Sequence, residues 1–186
     1  VGEIITNQMT DAVESRAALI EEYVVSAEQH LVAYAQSDEV RNLLLHQDDK
    51  EIQARAQKYT VDFAKTKDVF EGLYVGNYET CTLAHTSEQT VGVYTREGEK
   101  LKELQDNILS KREVTNIGIM QSPSSGEMVI SMYYPVYEGD DCIGYVGAAV
   151  YASHLMDSLL ALDIKGLPDS KYVFIDVAKG IYLYNE

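Results

Sequence analysis

Four histidines (His30, His46, His85, His154) and two cysteines (Cys81, Cys142) are the residues of this chain best suited to acid–base, nucleophilic or metal chemistry. Their spacing supports none of it. No histidine lies in an HExxH motif or beside a Gly-x-Ser-x-Gly elbow. Cys81 and His85 are four residues apart. On a strand they share a face at a separation of ~13 Å, too far for a nucleophile and its base. The two cysteines form no CxxC or Cys/His pattern, which argues against zinc. Without these geometric roles the chain is not expected to be an enzyme, and nothing in it asks for a cofactor or a metal.

The other chemistry-bearing residues suit recognition. The chain has 14 tyrosines and no tryptophan. Tyr74, Tyr78, Tyr94, Tyr133, Tyr134, Tyr137, Tyr145 and Tyr151 cluster in the region where the strands are expected. Tyrosine packs well on a sheet. It also suits a pocket wall, since it joins an apolar ring to a polar tip. Arg96 reads as a surface arginine bridging nearby acids, or, turned inward, as a bidentate partner for a carboxylate. His85, with Thr86, reads as a residue that orients its loop. Asn116 is a donor either for a ligand or for the backbone.

The balance of charge narrows the partners. The formal net charge of −15 over 186 residues argues against nucleic acid, which needs a basic footprint. It also argues against direct binding to an anionic membrane surface. No apolar run approaches the ~20 residues that span a bilayer. The chain opens directly into a helical pattern, so any membrane anchors are expected in flanking segments.

Periodicity gives the elements that must position these residues. Residues 2 to about 36 contain no proline and, after Gly2, no glycine. Ile5, Met9, Ala12, Ile20, Val24, Ala27, Leu31 and Ala35 recur near helical spacing. A helix of this length spans ~50 Å. Ser37 should cap a short helix through Val40 and Leu43–Leu45, and a third helix should cover 49–66. Strands are expected at 69–76, 81–86, 115–121, 127–137 and 142–151, with a helix at 97–109 and another at 152–162. A last strand pair falls at 171–184 around Lys179-Gly180. The implied class is α+β, a long helix beside a five-stranded antiparallel sheet.

One register stays open. If Glu138–Asp141 makes the turn, Tyr137 faces Cys142 and Ile130 lies opposite Ala149. One more turn residue instead puts Ser131 and Tyr133 on the face of Ala149 and Tyr151. A slip of one residue exchanges faces.

The segment GEMVISMYYPVYEGDDCIGYVGAAVYASHLMDSL resembles the core of Cache sensor domains. It carries Pro135-Val136, an acidic turn at Glu138–Asp141, and a Gly144 to Gly147 strand running into a helix from Ala152. LAHTSEQTVGVYTREG resembles the piece after the first hairpin in Cache domains of Firmicute receptors. The resemblance covers about residues 10–160. It implies a PAS-like sheet in the order 2-1-5-4-3 beside a long helix, in the extracytoplasmic part of a bacterial membrane receptor. Relatives sit in chemotaxis receptors, histidine kinases and diguanylate cyclases. The implied division is 1–66 helices, 67–165 membrane-distal module, and 166–186 the start of a membrane-proximal module. In that strand order two strand spacings, ~9.6 Å, separate Cys81 from Cys142, so both should be free thiols.

The resemblance also implies a ligand site. In amino-acid-sensing relatives acidic residues hold the ligand's ammonium. By position the acids fall at Ala149 and at Ser122, the second member of a Tyr-x-Asp pair whose tyrosine falls at Met120, so a neutral or singly anionic ligand is expected. Met120, Ala149 and Tyr151 should line the pocket, with Ser122, Asn116, Tyr133, Arg96 and His85 as polar candidates. Ile4, Ile5, Met9, Ala12, Val13 and Ala17 should form a parallel homodimer seam. The rival function is a module that docks a ligand-loaded binding protein and has no pocket of its own.

Overall fold

The computed structural model describes residues 2–155, 173–176 and 181–185. The chain divides into two compact units, Val24–Ser153 and Val1–Tyr23 with His154–Glu186. Three helices come first: α1 (Gly2–Ala35), α2 (Asp38–Leu45) and α3 (Lys50–Lys67). Their boundaries follow from capping. The Ser37 hydroxyl accepts from the Val40 N–H, and the Asp49 carboxylate accepts from the N–H groups of Glu51 and Ile52. Each satisfies donors that a helix start leaves open.

In the larger unit α1 buries Ala27, Leu31, Tyr34 and Ala35, one stripe at helical spacing. Tyr34 packs on Tyr59 and Phe63 of α3, with ring centroids 6.0 and 5.3 Å away. Its hydroxyl lies 2.6 Å from the Thr60 hydroxyl, which itself donates to the Ala56 carbonyl. Tyr34→Phe should therefore cost about 1 kcal/mol. Urea unfolding should show a lower midpoint and an unchanged m-value. An unaltered midpoint would mean that water replaces the bond.

The strands are β1 (Phe70–Asn77), β2 (Thr82–His85), β3 (Thr115–Gln121), β4 (Met128–Glu138) and β5 (Asp141–Tyr151). They form an antiparallel sheet in the order β2-β1-β5-β4-β3. Leu73, Val75, Met132, Val146 and Val150 bury one face, against which α2 and α3 pack. Both cysteines are free thiols.

Two stretches differ from expectation. The helix expected at 97–109 is α4 (Gly98–Leu104) followed by a π-helical turn, Gln105–Leu109. The wider turn brings Leu104 and Leu109, five apart, into one fully buried cluster. The β4–β5 register contains both alternatives. Tyr137 faces Cys142 at the turn, and Ser131 faces Ala149 farther along. A β-bulge between them, with Val136 opposite Gly144, makes the change.

Residues 152–155 are helical; the rest of the helix expected at 152–162, like the Lys179-Gly180 turn, lies outside the described residues. β6 (Val173–Asp176) and β7 (Ile181–Asn185) pair with each other as a two-stranded sheet and are no part of the five-stranded one.

Candidate functional site

The sheet face away from α2 and α3 carries a cavity of about 320 Å³, near the lower end for small-molecule sites. Its floor depends on two glycines. Gly147 pairs with Tyr74, and Gly76 with Tyr145. A Cβ at Gly147 would lie 2.2 Å from Tyr74 Cζ, and one at Gly76 would lie 2.6 Å from ring atoms of Tyr145. Each phenol therefore lies flat across the neighbouring strand. The two rings meet edge to face at 6.1 Å, and Tyr133 reaches Tyr145 at 6.0 Å. Leu104 and Leu109 close off the Tyr133–Tyr145 end. Burial pushes the Tyr145 phenol up to about 12. Burial raises Tyr74 too, helped by Tyr133 and Tyr145. Both are thus neutral hydroxyls at physiological pH.

His85 forms one wall. Its ring stacks on Tyr74 at 5.2 Å and 10°. Its Nδ1 accepts from the Ser87 N–H at 2.8 Å, so the neutral ring carries its proton on Nε2. α3 holds the strand here. Gln57 accepts from the His85 N–H at 3.0 Å and donates to the His85 carbonyl at 2.7 Å. Thr86 lies outside the lining; its hydroxyl accepts from the Leu73 N–H at 3.2 Å and its own N–H donates to the Leu73 carbonyl at 3.0 Å. The segment after it roofs the cavity with Ser87, Thr90, Val93 and Thr95. Hydrogen bonds to Thr80 and Thr82 tie that roof to β2.

Burial lowers the His85 pKa, while Glu71 opposes the shift. The sign follows from linkage. Below the unfolded value of about 6.5 the unfolded chain takes up the proton first, so stability falls as pH falls. Protonation also removes the Ser87 acceptor. Melting temperatures should drop between about pH 7 and pH 5, and less steeply in His85→Gln. His30, lowered by burial and by Lys67, keeps part of the slope. Equal slopes in both proteins would contradict this.

The polar end was not foreseen. Glu71 lines the cavity because β1 bulges there. Phe70 pairs with Val150 and Gly72 with Ala149, leaving Glu71 as the extra residue. Ser122 is 5% exposed. Its hydroxyl donates to Glu71 Oε1 at 2.7 Å and accepts from the N–H groups of Ser124 and Ser125. The expectation of a neutral or anionic ligand rested on the missing carboxylates at Ala149 and Ser122. Glu71 supplies one from another strand.

Of the expected site residues, the structure places Met120, Ser122, Tyr133, Ala149 and His85 in the lining. The other three lie outside it. Asn116 is exposed, pairs with Met132 on the opposite face, and accepts from the Gly118 N–H. It stabilises the β3 irregularity between Asn116 and Ile119. Tyr151 is half-buried opposite Val129. Arg96 makes no ion pair with an acid among the described residues. Its Nη2 donates to the Tyr133 hydroxyl at 2.9 Å, and the guanidinium sits 5.4 Å from that ring's centroid. It therefore backs a lining residue. Ser131 and Tyr74 also line the cavity; the open β4–β5 register hid the first, and the second was one tyrosine among many.

No family model matches the chain, and no curated protein matches it in sequence. Solved structures do match. The sensory domain of the Campylobacter jejuni chemoreceptor Tlp3 (CcmL), solved with isoleucine bound, gives a TM-score of 0.72 at 13% identity, covering 99% of this chain and 71% of that one. The sensor domain of the V. cholerae histidine kinase DctB gives 0.70 at 10%, covering 84% of this chain. The alignment spans 60% of the DctB domain's length. A domain of a sensory box/GGDEF family protein from Vibrio parahaemolyticus gives 0.66 at 13%, covering 98% and 71%. This chain therefore has the PAS-like α+β fold seen in sensor domains of chemoreceptors and histidine kinases.

Proposed function

We propose that this chain is the extracytoplasmic ligand-sensing domain of a bacterial transmembrane receptor, of the Cache type, and that it performs no catalysis. The observation that carries this reading is the roofed cavity on the free sheet face. Apolar walls with a few converging polar groups are the usual form of a small-molecule site. A docking module without a pocket has no use for such a cavity, and nothing in the structure favours that rival. Among the described residues no group of three or more histidine, cysteine or acidic side chains could hold a metal, and no helix among them is long and apolar enough to cross a membrane.

In this reading the membrane-distal module ends near residue 165, and 166–186 begins a second, membrane-proximal one. Ligand binding draws the roof over the sheet. His85 and Gln57 link the wall to α3, and Thr60 links α3 to Tyr34 of α1. The ligand moves this equilibrium only by its difference in affinity between the two states. The intact receptor is a parallel homodimer through α1. Ile4, Met9 and Val13 are 63%, 52% and 66% exposed, a stripe that suits a second copy. Single cysteines at positions 9 and 13 should cross-link in membranes; failure at both would remove the dimer from the account.

A thermal-shift screen of metabolites tests the sensing function. A ligand at a hundredfold excess over its Kd stabilises by about 2.7 kcal/mol. At least one small molecule should raise the melting temperature saturably. A broad panel without a hit would favour the docking alternative.

A further inference from the structure

We propose that Glu71 and His85 form one acceptor–donor pair that selects a neutral ligand carrying an N–H and a C=O on a single edge, as in a lactam or a primary carboxamide. The inference rests on the sensing reading above and adds the class of ligand to it. It keeps the neutral ligand expected from sequence and drops the anionic one.

The backbone fixes the donor. The Ser87 N–H occupies Nδ1 of His85 at 2.8 Å. Burial lowers the ring's pKa, so the ring is neutral and its proton lies on Nε2. Among the described residues the ring's hydrogen bonds all fall on Nδ1, which leaves the Nε2–H open. Gly72 places that donor over the cavity floor. A Cβ on Gly72 would lie 3.7 Å from His85 Cε1, 4.0 Å from Nε2 and 3.8 Å from the Ala149 Cβ. All three residues line the cavity. The missing side chain at Gly72 therefore leaves a gap beside Nε2 that a ligand group can enter.

The acceptor is the next residue in the chain. Glu71 immediately precedes Gly72 and lines the same cavity. Ser122 holds one of its carboxylate oxygens at 2.7 Å, and no ion pair among the described residues takes the other. The charge of Glu71 reaches the His85 ring and opposes the effect of burial. A carboxylate ligand would satisfy the Nε2–H but meet the charge of Glu71. An ammonium would satisfy Glu71 but face the N–H of a ring whose tautomer Ser87 fixes. An amide edge accepts from His85, donates to Glu71 and adds no buried charge. Val93, Met120 and Val129 give the same cavity apolar surface for the hydrocarbon part.

NMR titration with four small probes tests this: 2-piperidone, N-methyl-2-piperidone, piperidine and pentanoate. They offer a full amide edge, a carbonyl alone, a cation and an anion. 2-Piperidone should shift the His85 Nε2 resonance and bind at least about fivefold more tightly than each of the others. Glu71→Ala should weaken 2-piperidone at least about fivefold and leave N-methyl-2-piperidone unchanged. Gly72→Ala should weaken both lactams, because its methyl enters the gap at ordinary contact distances and leaves the fold intact. Circular dichroism confirms the fold of each variant; if Glu71→Ala does not fold, the probe series in the unaltered protein decides. Piperidine or pentanoate binding as tightly as 2-piperidone, or a folded Glu71→Ala without effect, would overturn the inference and leave the sensing function standing. So would a metabolite that binds in the cavity while 2-piperidone does not. No binding by any probe or by the wider panel would overturn both.

Discussion

Gly144→Ala is expected to destabilise the domain by about 3 kcal/mol, or to prevent folding. A Cβ there would lie 2.5 Å from the Gly76 carbonyl oxygen, 2.5 Å from Leu44 Cδ2 and 3.2 Å from the Asn77 Cα. Two of these atoms belong to the β1 backbone. They cannot move without breaking the pairing of Gly76 with Tyr145 and of Asn77 with Gly144. Leu44 is buried in α2, so its side chain would have to repack as well. Gly144 also sits at the bulge that sets the β4–β5 register. Loss of the bulge would turn Ser131 and Tyr133 away from the cavity. Gly126→Ala is the comparison. Its φ is +79°, but a Cβ there meets nothing within 4 Å. Only backbone strain remains, about 1 kcal/mol. Urea midpoints that place the two variants together would show that the close approach at Gly144 relaxes.

Ala149→Phe should abolish ligand binding with little loss of fold. Ala149 lies between Gly72 and Ser131 on the cavity floor and is only half-buried. A phenyl ring there projects into the void and not into packed atoms. It would fill much of the space between Tyr74 and Val129, so affinity for a ligand found by screening should fall about a hundredfold or more. The melting temperature of the free protein should stay within a few degrees, because a filled void gains contacts. Retained affinity would place the ligand elsewhere. Collapse of the fold would show that the floor has no room.

Much of this architecture is legible in the residues. Ser37 announces a helix start because few other side chains can satisfy open N–H groups there. Apolar periodicity marks α1 and the five strands. The resemblance to Cache domains supplies the strand order, which local pattern does not contain. The site was half-legible for a specific reason. Strict alternation puts Glu71 on the face of Leu73 and Val75, and only the bulge after Phe70 turns it into the cavity. A second bulge decides the face of Ser131 and Tyr133. A third irregularity puts Asn116 on the face away from Met120. One-residue insertions of this kind leave no mark in composition or period. Arg96 illustrates a different limit. Its partner is the Tyr133 hydroxyl, 37 residues away in sequence, which no local reading of acids can find.

Crystals grown with the tightest-binding compound from the metabolite screen give the most direct test of the central claim. The account predicts ligand density on the sheet face between Tyr74, His85, Ser131 and Ala149, beneath the roof formed by Val93 and Thr95. Density confined to the outer surface, for instance the cleft between Arg41 and Arg112, with the sheet-face cavity unchanged, would contradict it.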